Sequence, residues 1–147
     1  MYRKDLALSG ENDLAIAEIE RRLNTLHDRT LRYQYIIQLG KRLAPMPEAS
    51  KTEENQVRGC MSRVWLTGGL TDDEVLEFVG DSESVIVKGL FAVLAQIYNG
   101  KTPEEALRVD LSDVFERLKL GEALSPNRRN GFYSMVENIR RIAAELA

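Results

Sequence analysis

Gln56-Val57-Arg58-Gly59-Cys60-Met61-Ser62-Arg63-Val64-Trp65-Leu66 holds the only cysteine of the chain, placed after a glycine and just ahead of a strand-like Val-Trp-Leu run. Glycine permits a sharp turn and the close approach of another group, so this thiol stands where a loop becomes a strand. That position suits nucleophilic sulfur chemistry. One cysteine alone does not argue for it, because a free cysteine is as a rule a small buried hydrophobe.

Working outward, the pattern from Ser62 to Thr67, the Gly68-Gly69 pair, the acidic Asp72-Asp73-Glu74 and the run from Val75 to Val79 predict two strands joined by a turn, with a third strand at Gln56 to Arg58. Upstream, the polar residues between Met46 and Asn55 predict a surface loop that delivers the chain to the cysteine. Before it, a helix is expected over Asp28 to Leu43 with Leu31, Tyr35, Ile36, Leu39 and Leu43 inward, fraying at Gly40 and stopped by Pro45 and Pro47. A first helix from Glu11, carrying Leu14, Ile16, Ile19 and Leu23 on one stripe, should pack antiparallel to it across Asn24-Thr25. Residues 1–10 read as a loosely held arm.

Downstream, Val85, Ile86, Val87, Leu90, Phe91, Val93, Leu94 and Ile97 surround a helix axis, which predicts the central core helix, closed by Asn99-Gly100. Thr102-Pro103-Glu104-Glu105 is a capping box with proline at the first helical position. A short helix over about Ser112 to Leu120 meets Gly121 as its stop, and Ser125-Pro126 opens a last helix to about Glu145 with Met135, Ile139 and Ile142 inward. Helices, a strand meander and more helices predict an α+β fold: one domain over 1–147, with a small antiparallel sheet of about three strands packed on helices.

Composition bounds the function. At 147 residues, with 44% hydrophobic and 29% charged side chains, the chain has the balance of a single globular domain. Twenty Lys and Arg against 23 Asp and Glu leave a net charge of −3, which offers no basic field for nucleic-acid phosphates. The longest apolar run, Val85 to Tyr98, is broken by Lys88 and Gln96 and falls short of the roughly twenty residues of a membrane span. With one cysteine and no apolar run after Met1-Tyr2-Arg3-Lys4-Asp5, the cytoplasm is the expected compartment. One Cys and one His lack any metal-site spacing, and no phosphate-loop or dinucleotide fingerprint occurs, so neither metal nor cofactor is expected.

Arg58 and Arg63 lie within three residues of Cys60 and could stabilise a thiolate, or else point into solvent. Trp65 reads as a packing residue. Asp81 fits either a helix N-cap or a surface facing a partner. Arg128, in the first turn of a helix where a cation gains nothing from the dipole, calls for a tertiary or partner contact. A Cys-His hydrolase would have to use His27, the only histidine, and no protease-type motif surrounds Cys60.

Gly59-Cys60, Ser62 and Val64-Trp65 resemble the Gly-Cys-x-Ser-x-Val-Trp signature of the SufE family. Arg32 to Leu43 resembles that family's amphipathic segment. Gly80-Asp81-Ser82 leading into Ile86-Val87-Lys88-Gly89-Leu90, and Leu124-Ser125-Pro126-Asn127-Arg128 leading to Gly131, resemble two further blocks. Together the four cover roughly residues 28 to 142; the position after the cysteine, often Gln in the family, is Met61 here. The resemblance implies a SufE/IscU-like fold and a sulfur acceptor. On that footing Cys60 takes persulfide sulfur from a SufS- or CsdA-like cysteine desulfurase, stimulates that enzyme and passes the sulfur to an iron–sulfur assembly scaffold or another acceptor, without independent turnover. Pyridoxal phosphate would belong to the partner. Arg58 and Arg63 would support the persulfide, and Gly59, Asp81 and Arg128 would be candidates for docking. The alternative is a regulatory binding module in which Cys60 is merely structural.

Overall fold

The structure, a computed structural model, describes residues 16–147. The expected arm at residues 1–10 and the start of the first helix lie outside them. Helix α1 occupies 16–25 of the described residues, and α2 spans Arg29–Lys41. Asp28 caps α2 by accepting hydrogen bonds from the Thr30 and Leu31 amides, which satisfies donors that the first turn leaves orphaned.

Helix α2 crosses α3, Val85–Tyr98, at very short range. A Cβ on Gly89 would stand 2.2 Å from the Ile36 carbonyl oxygen, and one on Gly40 would stand 2.8 Å from the Gly89 nitrogen. Gly40 therefore does not fray the helix; it lies buried inside α2 because the crossing leaves no room for a side chain. A second correction concerns Leu31, which is 48% exposed. Its neighbour Arg32 is buried instead and donates to the carbonyls of Leu118 and Lys119 at 3.3 and 3.1 Å. A buried guanidinium needs acceptors, and these two carbonyls at the α5–α6 corner supply them, so the arginine and not the leucine takes the inward position.

Strands β1, Val64–Leu70, and β2, Leu76–Ser82, form an antiparallel pair in register from Val64↔Ser82 to Leu70↔Leu76. Each starts one or two residues later than the pattern foretold and runs three residues further at its C-terminal end, since Gly68, Gly69 and Gly80 continue the ladder. The expected third strand reduces to a single bridge, Gln56↔Trp65, with Val57 N–H donating to Val64 O and Leu66 N–H to Asn55 O. Turns at Thr52–Asn55 and Glu53–Gln56 precede it and Gly59, at φ +89°, follows, so the chain has no length in which to extend the pairing.

Helix α3 is almost wholly buried against the sheet and the other helices, with Leu90, Phe91, Val93, Leu94 and Tyr98 at the centre of the core. Ser84, not Asp81, supplies its N-cap. The box at Thr102 opens α4, Pro103–Leu107, as expected. The next helix divides into α5, Leu111–Arg117, and α6, Leu120–Ala123. Lys119, at φ 54°, makes the break and Gly121 lies inside α6, a correction that follows from Arg32 holding the carbonyls at that corner. Helix α7, Pro126–Leu146, is capped by Ser125 and packs Phe132, Met135 and Ile139 inward, with Ile142 half-buried. The architecture is a single small α+β domain. Among the described residues no helix is long and apolar enough to cross a membrane.

Candidate functional site

Gly59 is needed twice over. Its φ of +89° is a conformation L side chains avoid, and a Cβ there would stand 2.7 Å from Ser134 Oγ on α7. That turn directs Cys60 into a cleft of about 230 Å³ between the cysteine loop, the start of α3 and the first turns of α7. Its walls include Ser84 and Val87 from the α3 end and Asn127, Arg128 and Gly131 from α7.

The Cys60 thiol is half-buried and donates to the carbonyl oxygen of Gly131 at 3.7 Å. A Cβ on residue 131 would lie 3.6 Å from the sulfur, in ordinary contact, so the backbone of α7 itself forms the wall against which the thiol rests. Burial pushes the thiol pKa up, and no charged neighbour offsets it. In this seat the thiol form is favoured over the thiolate.

The arginines nearest in sequence do not meet the sulfur. Arg63 donates to Glu83 at 2.6 Å and lies 5.5 Å over the Trp65 ring. Arg58 is exposed and lines a separate polar groove with Glu54, Glu137 and Arg141. The cation that does line the thiol cleft is Arg128. Its guanidinium donates to the Tyr33 hydroxyl at 3.3 Å and stacks 5.6 Å from that ring, the tertiary contact its place in the first turn called for. Trp65 is buried, as a packing residue should be, with Lys51 on its ring at 5.6 Å.

Asp81 faces inward to two lysines. Its carboxylate meets Lys51 at 3.0 Å and Lys88 at 3.4 Å and accepts from the Ser82 amide at 2.8 Å. Gly59 is exposed at the loop, and Met61, 83% exposed, stands at the mouth of the cleft. His27 is exposed between α1 and α2 and lines no part of the cleft, so a Cys-His pair is not assembled. Sequence reasoning missed Tyr33, Ser84 and Ser134. For Ser84 the signal was present, a serine directly before the apolar helix run; for the other two there was none.

A small α+β domain that seats its one thiol in a cleft between a loop and two helix N-termini defines a class of single-thiol domains. Residues 17–143 match the SufE family model, described as an Fe-S metabolism associated domain. The chain is 46% identical over 112 residues to an uncharacterized SufE-like protein of Rhizobium meliloti (strain 1021), covering 74% of this chain and 80% of the relative. It is 42% identical over 121 residues to one of Rhizobium etli, covering 80% and 82%. The fold also matches a hypothetical protein from Thermus thermophilus solved in solution, with TM-score 0.71 at 16% identity over 89% of this chain and 94% of that one. The chain belongs to the SufE family, and its role lies in Fe–S metabolism.

Proposed function

We propose that the protein is a sulfur carrier: Cys60 accepts sulfane sulfur from the active-site persulfide of a pyridoxal-phosphate-dependent cysteine desulfurase and delivers it for iron–sulfur cluster assembly. The observation that carries this reading is the seat of Cys60, a lone thiol half-sheltered against Gly131 with cleft space beside it for one more atom. The Cys60 thiolate attacks the terminal sulfur of the donor's Cys–S–SH group. A new S–S bond forms at Cys60 as the donor's S–S bond breaks, and the donor leaves as a thiolate, so no external oxidant or reductant is used. The proton leaving Cys60 returns to the donor's sulfur.

A carrier needs shelter between partners, because small thiols would strip its sulfur. The half-burial of Cys60 supplies that shelter, and Arg128 is the cation placed to meet the persulfide anion within the cleft. The pyridoxal phosphate belongs to the donor, and the carrier needs no cofactor of its own. A chain with one free thiol works in a reducing compartment, the cytoplasm.

Intact-mass spectrometry after incubation with a cysteine desulfurase and free cysteine tests the reading. One added sulfur atom on the wild type and none on Cys60→Ser is the expected result. Equal addition to both, or addition to neither, overturns it, and undiminished desulfurase stimulation by Cys60→Ser would favour a regulatory module instead.

A further inference from the structure

The segment Asp81–Ser84 grips both ends of the cysteine loop. On the entry side, Asp81 binds Lys51, which also donates to Glu48 at 2.6 Å and lies on the Trp65 ring, so the strap over residues 48–57 is tied down at its middle. On the exit side, Ser82 Oγ–H and Glu83 N–H both donate to the carbonyl oxygen of Arg63, at 2.9 and 3.1 Å. Ser84 N–H donates in turn to Ser82 Oγ, and Ser84 lines the thiol cleft and caps α3.

Among the ion pairs of the described residues, those of Asp81 differ from the rest. Its side chain is 18% exposed and its partners Lys51 and Lys88 are 21% and 29% exposed. In every other pair at least one partner is 45% exposed or more. Solvent screens such exposed pairs until they contribute little, whereas a sheltered carboxylate held by two ammonium groups and an amide keeps its geometry. Lys51 belongs to the strap and Lys88 to α3, so one carboxylate joins the strap to the central helix.

We propose that Asp81 is the latch of the Cys60 loop: a positioning residue that holds the strap shut over Trp65, so that breaking its pair with Lys51 frees the loop to carry the thiol out of its cleft. This rests on the carrier reading only for its purpose; the latch itself is a property of the chain alone. Opening needs no bond chemistry. The strap is also tied to β1 by two backbone hydrogen bonds, to Val64 and Leu66, by Lys51 on the Trp65 ring and by the buried Val57, so loss of the ionic anchor loosens the strap by local opening without unfolding the domain.

The test measures Cys60 alkylation by iodoacetamide and amide hydrogen exchange over residues 48–57, on the full chain without any partner. Asp81→Asn and Lys51→Met should each speed alkylation by about fivefold and raise exchange in the strap, as expected of local opening. Asp81→Glu should restore wild-type rates, and Asp72→Asn, which removes an exposed acid elsewhere, should leave them alone. Should Asp81→Asn not fold, Lys51→Met carries the test. Alkylation and strap exchange at wild-type rates in the folded variants would overturn the latch. Persulfide loading from a desulfurase is measured in parallel: a wild type that never loads defeats the carrier reading while leaving the alkylation result to decide the latch.

Discussion

The sulfur of Cys60 lies 3.7 Å from the carbonyl oxygen of Gly131, a partner 71 positions away in the chain. This contact keeps the thiol inside the cleft, where burial raises its pKa above the ordinary 9.0. The folded state thus holds the proton more tightly than the unfolded one. Stability from this source is full below the ordinary thiol value and is lost as pH rises through the raised value. The alkylation rate of Cys60, followed against pH by intact mass, should show a midpoint above 9.0, and Cys60→Ser should lose less stability on the alkaline side than the wild type.

Gly59 and Ser134 form a second pair open to test. Gly59→Ala must adopt a left-handed backbone, at about 1–2 kcal/mol, and also displace Ser134 Oγ from 2.7 Å. In a Ser134→Ala background the clash disappears and only the backbone cost of about 1–2 kcal/mol should remain. Chemical denaturation of the two single variants and the double variant separates the terms.

Gly89 and Gly69 should answer alike substitutions very differently. An alanine at 89 drives a methyl group to 2.2 Å from Ile36 O and forces α2 off α3, whereas one at 69 meets nothing within 4 Å. Gly89→Ala should cost about 3 kcal/mol or more and lower the thermal midpoint by on the order of 10 °C. Gly69→Ala should stay within about 0.5 kcal/mol of wild type. Thermal melts followed by circular dichroism check both.

For Asp81, burial acts to raise the carboxyl pKa, but Lys51, the Ser82 amide and Lys88 together hold it below the ordinary 3.8. This stability is present above pH 3.8 and is lost as pH falls through the lowered value. Asp81→Asn should therefore be less stable than wild type at pH 7, with the difference shrinking as the solution is acidified past that range. Urea midpoints measured across an acid series provide the readout.

Arg128 is the cation of the thiol cleft and owes its place to Tyr33. A lysine carries the charge but can neither stack flat on the ring nor offer the same planar fork. On the carrier reading, Arg128→Lys should slow sulfur loading by about tenfold with the fold intact. Single-turnover loading kinetics with unchanged circular dichroism would show it.

Much of the fold was legible because it depends on near neighbours. The box at Thr102 and the Ser125-Pro126 opening are contacts within one turn, and both formed as read. The all-round apolar run of Val85–Tyr98 could only be a buried helix. The readings that failed involve partners distant in sequence. Gly40 looked like a helix breaker until Gly89 stood against it, and Arg32 turned inward in place of Leu31 because the α5–α6 corner, 86 positions away, offered its guanidinium two carbonyl acceptors.

The same division runs through the site. Consecutive residues were enough to mark the candidate thiol, the glycine turn that presents it and the family blocks around it, because a loop-to-strand junction with one cysteine is written in neighbouring positions. The pairing of charges waited on the packed chain: Arg63 went to Glu83, Asp81 to two lysines and Arg128 to the thiol cleft. A charged side chain takes its partner from whatever the helices and strands bring within about 4 Å, and nothing in its local sequence reports that geometry.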